Sequence, residues 1–155
     1  MADVAESLTI AQPAADIWAV LADFDGIARW APNVDHSCLT TERAEGVGAV
    51  RRIQTGRNTL LEIVTQWEPE RRLAYTISGL PPVIRSVTNT WKLDDRGGST
   101  TVTLTSSVDA GPRPPQQVVA RIVGRVLAKV SRQMLDGLEQ HLADRDQQAD
   151  QEASA

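Results

Sequence analysis

Residues 111–142, GPRPPQQVVARIVGRVLAKVSRQMLDGLEQHL, decide the fold. The glycine and prolines at 111–115 end the preceding secondary-structure element. A helical pattern then runs from about Gln116 to about Leu142. Apolar residues recur there at spacings of three and four, which is typical of one face of a helix. The predicted apolar stripe consists of Val119, Ile122, Val123, Val126, Val130, Met134 and Leu138. A helix roughly 40 Å long with one such stripe needs a broad apolar surface to lie on.

The chain before this helix supplies that surface as strands. Residues 4–11 alternate in the manner of a half-buried strand. Further strand-like segments, separated by short turns rich in glycine, proline, asparagine or aspartate, are predicted at 34–42, 48–55, 59–67, 72–78, 84–93 and 100–108. Links this short join antiparallel neighbours, because a parallel crossover needs a dozen or more residues.

Two short helices are predicted between the first and second strands. Ile17, Val20, Leu21 and Phe24 follow a helical spacing, and a second helical segment around Trp30 ends at the next proline. Because the helices are not interleaved with the strands, the fold class is α+β. We expect one domain at residues 1–143 and a disordered polar tail at 144–155.

Composition excludes several classes of protein. The 155 residues are 41% hydrophobic with a net charge of −4, which argues against a nucleic-acid binder. One cysteine, Cys38, excludes an internal disulfide, and neither a signal peptide nor a bilayer-spanning run is visible, so we expect a cytoplasmic protein without membrane insertion. His36 and His141 lie far apart in the sequence, and no metal-site spacing exists. Homodimerisation stays open.

Several phrases resemble one family. Residues 13–18 (PAADIW), 27–32 (IARWAP), 46–52 (GVGAVRR) and 71–75 (RRLAY), together with Glu62, resemble the polyketide cyclase/dehydrase and lipid-transport branch of the START/Bet v 1-like (SRPBCC) superfamily. The resemblance implies a helix-grip fold, in which a curved antiparallel sheet of seven strands wraps around the long C-terminal helix. It also implies a cavity between sheet and helix for a small hydrophobic molecule, with no cofactor.

The resemblance further implies that six side chains face that cavity, those of His36, Arg51, Glu62, Tyr75, Asn89 and Thr105. The candidate catalytic residues are Glu62, His36, Arg51 and Tyr75. The candidate ligand-binding residues are Trp30, Val87, Asn89, Trp91, Thr105, Val123 and Leu127.

Periodicity alone leaves the direction of Glu62 open. If Leu61 and Ile63 face the core, Glu62 faces solvent, whereas Leu60 and Val64 would take it inward with them. The resemblance favours the inward direction, where Arg51 on the neighbouring strand would be its cationic partner.

Two functions follow, of different classes. The first is an enzyme resembling polyketide cyclase/aromatases, in which Glu62 or His36 removes a proton beside a carbonyl and Arg51 or Tyr75 stabilises the oxyanion during cyclisation or dehydration. The alternative is a carrier or sensor of a lipid, isoprenoid or aromatic metabolite, which needs only an apolar pocket with a few orienting polar groups. A third hypothesis is a protein-interaction module, which an exposed apolar patch would indicate.

Overall fold

The structure, a computed structural model, describes residues 2–154 as one sheet, two α-helices and one 3₁₀ helix. The strands are β1 (Ala2–Ile10), β2 (His36–Leu39), β3 (Val50–Thr55), β4 (Asn58–Glu68), β5 (Arg72–Ser78), β6 (Ser86–Asp95) and β7 (Thr100–Asp109). The helices are α1 (Ala14–Ala22), the 3₁₀ helix (Phe24–Arg29) and α2 (Pro114–Ala153). The predicted α+β helix-grip architecture with seven strands is confirmed.

All neighbouring strands pair antiparallel in the order β1-β7-β6-β5-β4-β3-β2. A register shift between Val64 and Gln66 interrupts the pairing of β4 with β5. Irregularities of this kind bend a strand and increase its twist. The sheet therefore presents a concave face, and the main core lies between that face, α1, the 3₁₀ helix and α2.

Helix α2 packs on β1 and β7, at one side of the sheet. Gly124 permits the close approach to β1, because a Cβ there would lie 3.3 Å from Val4 Cγ1. Gly137 permits a second close approach, to the segment after the 3₁₀ helix, because a Cβ there would lie 2.5 Å from the carbonyl oxygen of Trp30. Three side chains of α2 reach toward the middle strands from this side of the sheet, those of Leu127, Val130 and Met134.

The predicted apolar stripe of α2 is wrong at Ile122 and Val126, which are exposed. The buried stripe consists instead of Ala120, Gly124, Ser131, Met134, Leu135, Leu138 and Leu142. In the first half of α2 the buried residues Ala120 and Gly124 are small, which lets the helix backbone approach β1. Val119, Val123 and Val130 are partly buried against the core, while Ile122 and Val126 turn outward.

The predicted disordered tail is also corrected, because α2 continues to Ala153. After Gly137 the sequence contains no glycine or proline to stop the helix. In addition, the Gln12 side chain donates a hydrogen bond to Asp146, which ties this segment to the chain just after β1.

Candidate functional site: a cavity beneath the long helix

A mostly apolar cavity of ≈ 210 Å³ lies between α2 and the middle strands. The 3₁₀ helix and the segment after it close one side. Its lining residues are Ile27, Asn33, Val34, Ile53, Thr55, Leu60, Glu62, Ile77, Asn89, Leu127, Val130 and Met134. Other depressions, such as one of ≈ 350 Å³ beside Arg29 and His141, have a more polar lining. The cavity beneath α2 is therefore the candidate site.

Arg51 and Glu62 form a buried ion pair at the edge of this cavity. They are cross-strand partners on β3 and β4, so both side chains emerge on the concave face. Arg51 Nε donates to Glu62 Oε1 at 2.7 Å, and the two side chains are 3% and 4% exposed. This settles the direction that periodicity left open: Glu62 faces inward and has the predicted partner.

The guanidinium of Arg51 is held on several sides. Its Nη1 donates to the backbone oxygen of Phe24 at 2.7 Å, and its Cζ lies 3.8 Å from the centre of the Phe24 ring. A planar guanidinium suits such a site because it stacks on aromatic faces while donating in its plane. Glu62 lines the cavity and Arg51 lies behind it, so the carboxylate is the group that a molecule in the cavity would meet.

Tyr75 lies in the core behind the cavity wall. It is fully buried, and its hydroxyl accepts a hydrogen bond from Trp91 Nε1 at 3.2 Å. Burial raises the pKa of Tyr75, and the negative charge of Glu62 raises it further, while Arg51 acts in the opposite direction. The hydroxyl is thus neutral at ordinary pH and serves the packing between β5 and β6.

Asn89 and Ser106 form a second polar pair, on β6 and β7. They are cross-strand partners, and Ser106 Oγ donates to Asn89 Oδ1 at 2.7 Å. Asn89 lines the cavity. Its oxygen is engaged by Ser106, so Asn89 acts as a donor through its amide N–H groups, one of which is directed at the Tyr75 hydroxyl.

Two predicted inward residues do not face the cavity. His36 is exposed, because β2 begins at His36 and turns Ser37 inward, where the Ser37 hydroxyl accepts from Ala28 N and donates to the Asp25 carbonyl. Thr105 is half-buried on the convex face, since Leu104 and Ser106 occupy the concave face. Both assignments are corrected.

The remaining predicted ligand-binding residues divide between wall and core. Leu127, like Asn89, lines the cavity. Trp30 and Trp91 instead pack edge to face with ring centres 5.7 Å apart, and Val87 and Val123 belong to a second apolar cluster near the start of α2. Direct contact of these four with a molecule in the cavity is therefore not favoured.

Sequence reasoning missed Asn33 and Ser106. Asn33 lines the cavity, and its Oδ1 is buried without a protein partner. No strand or helix period applies to Asn33, which follows the 3₁₀ helix in a loop. The inward direction of Ser106 could have been predicted from the sequence. Val102, Leu104 and Val108 alternate with polar residues along β7 and so identify its concave face, on which Ser106 also lies.

Within residues 2–154, no group of three or more histidine, cysteine, aspartate or glutamate side chains is arranged to hold a metal ion. In the same range no helix combines the length and apolarity needed to cross a bilayer.

The sequence of residues 1–143 matches the model of the family described as polyketide cyclase / dehydrase and lipid transport. The chain belongs to this family. The resemblance to the polyketide cyclase/dehydrase and lipid-transport branch is thereby confirmed. A comparison with curated protein sequences finds no match.

Solved structures of this fold are similar over nearly the whole chain. The Zhui aromatase/cyclase from Streptomyces sp. R1128 is 21% identical with a TM-score of 0.77, covering 93% of this chain and 94% of its own. A Thermobifida fusca protein solved by NMR is 28% identical with a TM-score of 0.78, covering 93% and 95%. A START superfamily protein from Mycobacterium smegmatis is 13% identical with a TM-score of 0.71, covering 92% and 97%. At these identities the likeness supports the helix-grip fold of this family member.

Proposed function

We propose that this protein binds a small, mostly apolar molecule beneath α2, with a hydrogen-bond donor on the ligand directed at Glu62. The observation that carries the proposal is the cavity itself: aliphatic side chains form most of its wall, and Glu62, Asn33 and Asn89 supply polar groups. Such a combination is typical of small-molecule sites, in which apolar surface supplies affinity and a few polar groups supply orientation.

Glu62 supplies the strongest polar contact. Arg51 engages Oε1, which leaves Oε2 to accept from a ligand. Hydrogen bonds to a charged acceptor contribute about 1.5–3 kcal/mol, so a hydroxyl in the right place raises affinity roughly tenfold or more. The volume of ≈ 210 Å³ lies below the usual range of about 300–1,000 Å³ for drug-sized ligands, which favours a compact molecule of one or two rings.

Binding is tested with two naphthalenes that differ in one group. We expect 2-naphthol to bind with one-to-one stoichiometry in calorimetry and at least about tenfold more tightly than 2-methylnaphthalene, which lacks the hydroxyl. Leu127→Trp fills the cavity and should abolish binding. Gln133→Trp places the same side chain on the exposed face of α2 and should leave binding unchanged. Undiminished binding in a folded Leu127→Trp variant would refute this site.

Acid–base chemistry at Glu62 is a second candidate function, favoured by the position of this carboxylate on the cavity wall with Arg51 behind it. Glu62 would remove the proton beside a ketone, the resulting carbanion would attack a second carbonyl of the same molecule, and protonated Glu62 would return the proton to the new alkoxide. Loss of that hydroxyl with a neighbouring proton as water would complete a dehydration. The family membership makes a polyketide-like substrate the natural choice.

The two functions are distinguished by whether the protein changes the molecule that it binds. A small linear triketone incubated with the protein loses one water if cyclisation with dehydration occurs, which mass spectrometry detects. In the catalytic case Glu62→Gln abolishes the mass change while a folded variant still binds 2-methylnaphthalene. If wild-type protein returns the triketone unchanged while 2-naphthol binds, the carrier function stands and the catalytic one falls.

A further inference from the structure

The outward face of the first half of α2 carries an apolar row. Val118, Ile122 and Val126 are 51%, 57% and 60% exposed, and they follow one another at intervals of four, so they form one continuous ridge along the helix. Val83, in the loop between β5 and β6, is 63% exposed. It borders a groove of ≈ 370 Å³ that Val119 and Arg85 also line, so the same apolar and basic surface extends from the helix across to this loop.

The charged residues of this stretch of α2 are all of one sign. Between Asp109 and Asp136 the sequence contains no acidic residue, although the chain as a whole carries a net charge of −4. The same segment contains the basic residues Arg113, Arg121, Arg125, Lys129 and Arg132. All five are exposed. Arg121, Arg125 and Lys129 each lie three residues after a member of the ridge and therefore flank it.

This charge argues against a second copy of the chain on the same face. Pairing the ridges of two copies would bring two clusters of arginine and lysine together, and like charges across an interface oppose association. A partner that binds this basic face should therefore be anionic. The ridge is convex and built of aliphatic side chains without the tryptophan or tyrosine that typically anchors protein interfaces. A lipid bilayer fits such a ridge better than a protein does, because a bilayer needs no pocket of complementary shape to accept it.

We propose that this face of α2 docks on an anionic lipid bilayer. The helix lies parallel to the membrane, Val118, Ile122 and Val126 enter the head-group region, and the flanking guanidinium and ammonium groups meet the lipid phosphates. Long basic side chains suit this arrangement because their apolar stems stay beside the acyl boundary while their charges reach the phosphates. The docking is peripheral and is independent of any ligand in the cavity.

The test is sedimentation of the full chain with vesicles of phosphatidylcholine alone, and with vesicles of two parts phosphatidylcholine to one part phosphatidylglycerol. We expect binding to the anionic vesicles only, weakening steeply as salt is raised. Arg121→Ser/Arg125→Ser should reduce the bound fraction at least about tenfold, and Ile122→Asp should reduce it similarly.

Two control variants make the same kinds of change at positions outside α2: one removes two arginines, and the other adds a carboxylate. Arg52→Ser/Arg57→Ser takes two exposed arginines from the sheet side, and Val47→Asp changes an exposed valine far from α2 in the sequence. Both should bind like wild type. Equal losses in test and control variants would overturn the proposal, as would absence of binding to the anionic vesicles.

Two further outcomes point to other occupants. If soluble poly-L-glutamate binds the face as tightly as the vesicles do, and Ile122→Asp weakens both no more than the control variants, the face recognises an acidic polymer and the bilayer proposal fails. If light scattering shows a dimer that Ile122→Asp dissociates, the ridge is covered by a second copy and the proposal also fails.

Discussion

Two polar pairs share the concave face of the sheet and differ in charge. Arg51–Glu62 bridges β3 and β4, while Asn89–Ser106 bridges β6 and β7; each pair consists of direct cross-strand partners joined at 2.7 Å. Burying the charged pair carries a large desolvation cost that only complete pairing offsets. The neutral pair carries a smaller cost. Two hydrogen bonds of equal length on the same face of the sheet can therefore differ greatly in how much stability is lost when one partner is removed.

The largest effect should come from leaving one charge without its partner. Arg51→Met should lower the free energy of unfolding by about 3–5 kcal/mol, because Glu62 then remains buried as an uncompensated charge. The double variant Arg51→Met/Glu62→Leu should recover a substantial part of that loss. Urea denaturation of the wild type, Arg51→Met, Glu62→Leu and the double variant measures these free energies. A double variant that loses as much stability as the two single variants together would contradict the argument.

The neutral pair should respond less. Ser106→Ala removes the donor to Asn89 Oδ1 and should cost about 1–3 kcal/mol, the penalty for a buried acceptor without a partner. The same denaturation measurement applies, with Ser107→Ala on the opposite face of β7 as control. If Ser106→Ala lowered the free energy of unfolding as much as Arg51→Met does, the neutral pair would not be the less costly one to disrupt.

Tyr75 lies between the pairs, opposite Asn89 across β5 and β6. Tyr75→Phe removes the acceptor of Trp91 Nε1 and should cost about 1 kcal/mol at neutral pH. The raised pKa of Tyr75 means that the folded state favours the neutral phenol. This contribution to stability is therefore complete below the ordinary value of 10.0 and is lost as pH rises above it.

The measurement uses the fact that the chain has one tyrosine. Absorbance titration of the folded protein should show phenolate forming at a higher pH than the ordinary pKa of 10.0 predicts, because the pKa of Tyr75 is raised. Unfolding free energy should fall less steeply with alkaline pH in Tyr75→Phe than in wild type. Identical alkaline profiles would show that Tyr75 is not buried as described.

The smallest effect should come from an ion pair at the surface. Arg29 Nη1 lies 2.9 Å from Asp23 Oδ2, almost as close as the buried pair, but the side chains are 73% and 50% exposed. Arg29→Met should change the free energy of unfolding by less than about 1 kcal/mol, since water and salt screen such pairs. A loss approaching that of Arg51→Met would show that distance, not burial, governs ion pairs in this protein.

Much of this arrangement was predictable from the sequence. Alternation and short turns gave the strands within a few residues, and the pairing of Arg51 with Glu62 followed from two adjacent strands once Glu62 was taken to face inward. His36 and Thr105 were assigned wrongly because one step in strand phase moves a side chain to the opposite face. Trp30 and Trp91 lie in the core because two large rings pack against each other, a contact that no local pattern encodes.

The order of elements, the antiparallel sheet and the long amphipathic helix follow from the amino-acid sequence, because they depend on local periods and on the length of connections. The buried face of that helix follows from tertiary packing, since close contact at Gly124 and Gly137 outweighs the hydrophobicity of Ile122 and Val126. Tertiary packing also decided which polar groups reach the cavity, because that depends on register and on neighbouring side chains far apart in the chain.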